Sequence, residues 1–133
     1  MRTAAALCDD TGSATVQLVI CLPLVVFVIM LVIQAGAYYH AQQVAKIAAD
    51  RAVAVARTEY GTADFGQAQA EHVLKVVGDG SLSDPHISVT RAAGQVRVSV
   101  AAGAPHFVPL WPATVHAASA GPIEEFDDGA RHG

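Results

Sequence analysis

The sequence predicts an α+β fold: a long N-terminal transmembrane helix that continues into a small domain holding a second helix and a β-hairpin. Three observations predict it. No Asp, Glu, Lys or Arg occurs between Asp10 and Lys46, and within that gap Leu18 to Ala37 is broken only by Pro23, Gln34 and Gly36. The Ala-rich text HAQQVAKIAADRAVAVAR follows without Gly or Pro. Further on, HISVT and QVRVSVA alternate apolar and polar residues with the period of a half-buried strand.

The bulk numbers narrow the function. A chain of 133 residues holds one small domain plus an appendage. Hydrophobic residues make up 53% and aromatic ones 6%, the excess being Ala and Val, which suits a membrane helix with a modest folded part better than an enzyme core. Net charge is −4, and the 8 basic residues form no cluster that would neutralise phosphates, so nucleic-acid binding is not expected. Cys21 lies inside the apolar run and Cys8 before it, so a disulfide would cross a membrane boundary.

Taken in order, Leu18–Ala37 as a helix rises about 1.5 Å per residue and spans a hydrocarbon core of roughly 30 Å. Tyr38 and Tyr39 follow where an interfacial aromatic belt belongs. Pro23 frees the carbonyl of Val19 and predicts a kink that a membrane helix tolerates. Past the span, Val44, Ala48 and Val55, with Ile47 and Arg51, recur at helical spacings, so the helix continues into water. Small side chains at Ala41, Ala45, Ala48 and Ala52 would let another helix approach closely. Gly61 ends this helix, and Thr62 or Asp64 caps a second one running to Gly78. GDGSLSDP is turn chemistry, and the hairpin closes around RAAG with Ile87, Val89, Val96, Val98 and Val100 on its buried face. PHFVPLWP, with three prolines, predicts an irregular loop whose Phe107 and Trp111 cover apolar surface; TVHAASA supplies a further strand, and EEFDDGARHG a frayed tail.

No constellation of chemistry emerges. His40, His72, His86, His106, His116 and His132 form no pair at metal-ligand spacing, so neither a metal nor a cofactor is expected. Ser81, Ser83 and Ser88 near His86 and Asp84 lack the scaffold of a triad, and no phosphate loop, nucleophile elbow or dinucleotide fingerprint occurs. The expectation is a non-enzyme with no small-molecule substrate.

The text DDTGSATVQLVICLPLVVFVIMLVIQAGAYYHAQQVAKIAADRAVAVAR resembles the N-terminal half of TadE-like proteins, especially the actinobacterial kind. These are small pseudopilins of the tight-adherence (Flp pilus) secretion system. The resemblance implies a leader, Met1–Gly12, removed by a prepilin peptidase between Gly12 and Ser13. It implies residues 13–60 as the membrane helix (about 18–39) and its continuation, 61–126 as a small extracytoplasmic α+β domain, and 127–133 as a tail. The implied partners are the bilayer, other pilin-like subunits and the proteins of the assembly platform. Gln17, Pro23 and the Ala41, Ala45, Ala48, Ala52 stripe become the helix-packing positions. Gln17 departs from the family pattern, which carries Glu at the fifth residue after the cut. Gln supplies no countercharge for a neighbour's amino terminus, which favours an accessory subunit over a pilus-shaft one.

Two other readings compete. Ala35-Gly36-Ala37 fits a signal-peptidase pattern that would release a soluble protein starting at Tyr38, although the apolar region is long and Asp9 and Asp10 spoil a basic start. A single-pass anchor carrying a binding module unrelated to pili is the other. Charge bias also opposes the family's orientation: Arg2 precedes the span, whereas Lys46, Arg51 and Arg57 follow it.

Overall fold

The computed structural model describes residues 9–108, 111 and 113–125, with side chains from Gly12 onward. Its elements run in the order α1 (Asp9–Ala56), α2 (Ala63–Gly78), β1 (Ser83–Ala92), β2 (Gln95–Gly103) and β3 (Thr114–Pro122). The helix α1 has 48 residues and is continuous through Pro23. At the α-helical rise it is about 72 Å long, more than twice the thickness of a bilayer core.

The two halves of α1 have different surroundings. From Gly12 to Ile33 every side chain is exposed, including Leu18, Phe27 and Ile33. From Ala41 to Ala56 one stripe is buried: Ala41, Val44, Ala45, Ala48, Ala49, Ala52, Val53 and Ala56. That spacing of three and four residues marks a helix face. Ile47 and Arg51, which recur at helical spacing in the same segment, are exposed, and Val55 is half-buried. The buried stripe is the alanine-rich one because α1 is packed on two sides, by α2 and by the sheet, and short side chains permit both approaches.

After six connecting residues, α2 turns back along α1. Thr62 caps α2 in extended conformation, its hydroxyl accepting from the Phe65 N–H at 3.2 Å, which satisfies one orphan donor of the first turn. Gly61 is buried where a Cβ would strike the Val55 and Ala56 carbonyls. Gly66 lies at the crossing with α1: a Cβ there would meet Ala56 Cβ at 2.9 Å and the Ala52 carbonyl at 3.2 Å. At the far end, Gly78 sits beside Val44, and Asp79 ends the helix in the left-handed region at φ 39°.

The sheet is an antiparallel meander, β1-β2-β3. TVHAASA forms β3, paired with β2 from Gly103↔Thr114 to Gln95↔Pro122. β1 starts at Ser83, inside the segment read as a turn, because a register shift between Ser83 and His86 accommodates Asp84 and Pro85 on this edge strand. The hairpin turn has positive φ at both central residues, Ala93 (53°) and Gly94 (73°), the backbone of a type I′ turn. Val96, Val98, Val100, Ala102, Val115 and Ala117 form the buried face, with Ile87 and Val89 packed at its side. The opposite face, with Ser88, Thr90, Arg97, Ser99, His116 and Ala118, is exposed, as an antiparallel sheet allows.

β3 runs parallel to α1. Gly121 lies against Val53 and Arg57, Gln42 Nε2 donates to the His116 carbonyl, and the β2–β3 connection reaches Gln34. Glu124, read as part of a frayed tail, is held: its N–H donates to the Arg57 carbonyl (2.8 Å) and its carboxylate pairs with the Arg57 guanidinium (3.1 Å). Residues 126–133 lie outside the described residues.

Candidate membrane and assembly surface

The functional candidate is α1 itself, together with whatever the domain places beside its apolar half. Gly12, Ser13, Gln17 and Pro23 all lie on the exposed half. A Cβ added at Gly12 would meet nothing within 4 Å. Steric need inside the chain therefore does not account for glycine at this position. The Gly12–Ser13 bond lies within the first turns of α1, which begins at Asp9. Met1–Cys8, the rest of the expected leader, lie outside the described residues.

Ala41, Ala45, Ala48 and Ala52 are each fully buried within the chain's own domain. The close helix approach that these residues permit is made internally, with Gly66 of α2 seated over Ala52 and Ala56. The segment from Gly12 to Ile33 is the part of α1 open to other molecules on every side; beyond His40 only the face turned away from the domain, with Gln43, Lys46, Ile47, Asp50 and Arg51, stays exposed.

Gln34 is the residue that sequence reasoning passed over, as a mere interruption of the apolar run. It is 5% exposed, the one buried polar side chain among the described residues. Its Nε2 donates to the Pro105 carbonyl (3.1 Å) and its Oε1 accepts from the Phe107 N–H (2.7 Å). Both ends of the amide are thus satisfied, as a desolvated amide requires. The signal available in the sequence was its cost: an amide near the end of a hydrocarbon-length run calls for a partner.

Phe107 and Trp111, expected to cover apolar surface, remain 53% and 58% exposed. A groove of about 630 Å³ runs between Trp111 and α1, lined by Leu31, Gln34, Ala35, Tyr38 and Tyr39. Among the described residues no group of three or more His, Cys, Asp or Glu is placed to hold a metal ion. Cys21 is a free thiol on the exposed face of α1.

These features define a class: a protein with, among the described residues, one helix long and apolar enough to cross a membrane, whose small α+β domain is built on the distal half of that helix. Residues 12–54 match the family model described as TadE-like protein, in agreement with the resemblance carried by the sequence. The match covers nearly all of α1 and stops before α2 and the sheet. No curated protein and no solved structure matches the chain.

Proposed function

We propose that this protein is a membrane-anchored accessory pseudopilin of a tight-adherence system, acting through helix packing and protein–protein contact. The observation that carries the reading is the coincidence of the TadE-like match with α1, whose first half is entirely exposed and apolar while its second half is the spine of the domain. An exposed apolar helix rigidly joined to a folded domain can be held in a bilayer and also pack against similar helices. The partners are other pilin-like subunits, the assembly platform and a prepilin peptidase that cuts between Gly12 and Ser13, with the domain outside the cytoplasm. Gln17 in place of a carboxylate supports the accessory role.

The N-terminal mass of the membrane-associated product tests this reading. A mature chain beginning at Ser13 is expected, and an intact Met1 would count against processing. Gly12→Leu is expected to abolish the cut while leaving the fold intact, since the position is sterically open; processing that survives the change would remove Gly12 as the junction. Protease digestion of intact cells is expected to degrade the domain, and protection would reverse the orientation. A start at Tyr38 would mark signal-peptidase release. The structure disfavours that alternative, because the cut would discard Gln34 and both of its bonds to the β2–β3 connection.

A further inference from the structure

The β2–β3 connection, described at residues 104–108, 111 and 113, is the part of the described domain that bonds to the end of the apolar run of α1. Gln34 lies three positions before the end of the run Leu18–Ala37, within about 5 Å of its boundary at the helical rise. Its two bonds tie the backbone of Pro105 and Phe107 to that level. The other turn at this end of the domain follows Gly78, which sits beside Val44. That is ten residues farther along α1, about 15 Å. The β2–β3 connection is thus tied to the level of the hydrocarbon boundary, and α2 ends well above it.

The composition of the reaching segment suits that depth. Between Ala104 and Ala113 there is no Asp, Glu, Lys or Arg, and Pro105, Pro109 and Pro112 bring no N–H that would need a partner away from water. Phe107 and Trp111 leave more than half of their surface uncovered. Tyr38 and Tyr39 are also exposed on α1, at the end of the apolar run. Left in water, these rings would form an apolar patch without cover; at the junction of headgroups and acyl chains they match the preference of Trp and Tyr for interfaces.

We propose that the β2–β3 connection is a second membrane-contact element, with Phe107 and Trp111 inserted at the interface and the upper part of a phospholipid acyl chain filling the groove between Trp111, Leu31, Ala35 and Tyr38. The occupant is lipid because the groove is continuous with the exposed apolar surface of the span. Gln34 is the positioning residue that holds the connection at this depth. The domain is thus seated on the bilayer at two points and does not swing on a single helix. This inference rests on α1 spanning the membrane.

Trp111 is the sole tryptophan of the chain, so its fluorescence reports on the loop alone. The full chain would be reconstituted in phosphatidylcholine vesicles and recovered by flotation. The expected emission is blue-shifted, quenched more strongly by a spin label high on the acyl chain than by one near its methyl end, and insensitive to aqueous iodide. In Gln34→Leu, flotation is expected to persist while quenching by lipid is lost and iodide quenching appears. Failure to float would overturn the span itself. Flotation with an iodide-quenched tryptophan in the unaltered chain would leave the anchor standing and sink the loop proposal. Emission shielded from both quenchers, and dependent on the protein-to-lipid ratio, would place a second copy on the groove and sink it equally. Lipid quenching that survives in Gln34→Leu would refute the positioning role of Gln34.

Discussion

Ala93 and Gly66 occupy positions whose demands pull against ordinary preference. Ala93 sits in the left-handed region within a two-residue turn, a conformation that costs a residue with a Cβ about 1–2 kcal/mol. Asn tolerates it better and is favoured before Gly in such turns. Ala93→Asn is therefore expected to stabilise the domain by roughly 1 kcal/mol, read as a shift of the thermal unfolding midpoint in detergent. At Gly66 two effects compete. Alanine gains about 1 kcal/mol of helix propensity, but its Cβ would lie 2.9 Å from Ala56 Cβ and 3.2 Å from the Ala52 carbonyl. Neither neighbour is the end of a flexible side chain, so the helices must part, a cost of about 1–3 kcal/mol. Gly66→Ala is expected to lower the midpoint, and a rise would show that the crossing yields easily. Gln17→Glu belongs to the same scale. A carboxylate at the very edge of a span costs less than at the span's centre, where the cost is about 2.5–3.5 kcal/mol, so a neighbour's amino terminus pairing with it would decide where the variant is retained. Enrichment of Gln17→Glu in sheared pilus fractions is the expected outcome for an accessory subunit given the missing charge.

Among the elements, β2 carries the core. Val96, Val98 and Val100 are buried between two flanking strands and beneath α1. Val98→Ala removes two methyl groups from the middle of that row, and about 1–3 kcal/mol of stability should be lost, measured by denaturant titration. The closure between Arg57 and Glu124 should matter far less. Their side chains are 42% and 47% exposed, and exposed pairs contribute about 0–1 kcal/mol. Glu124→Gln keeps the backbone bonds from Glu124 to Arg57 and from Ile123 to Gly94, so a change below about 1 kcal/mol is expected in the same titration. The helix α1 shows how an element is read correctly in kind and misread in detail. Its existence followed from the charge-free gap and the alanine run. Its buried stripe followed only in part: Ala41, Ala45, Ala48 and Ala52, expected to permit a close helix approach, are buried, but nothing in the spacing set Ala49 and Val53 apart from Ile47 and Arg51.

At the scale of the whole molecule, one helix is both the candidate membrane span and the spine of the domain, so a cut at Ala37 would disturb both. A chain beginning at Tyr38 lacks Gln34, and the Phe107 N–H loses its acceptor. Hydrogen exchange at Phe107 should be faster in that chain than in the full protein, while amides of β2 such as Val98 keep their protection. Equal exchange at Phe107 in both would mean that the loop is held by something other than the end of the span.

The sequence by itself determined the order and kind of the elements: the span from its lack of charge, the capped second helix from Thr62 and Gly78, and the strands from strict alternation. Each of these is a local pattern, written in residues close together along the chain. Only the tertiary structure decided which alanines of α1 face α2 and the sheet, and that Phe107 and Trp111 stay uncovered. It alone decided that Gln34 holds a loop some 70 residues away. Such pairings depend on how α1, α2 and the meander fold back on one another, and an amide looks the same in the sequence whether it meets a partner or hydrocarbon.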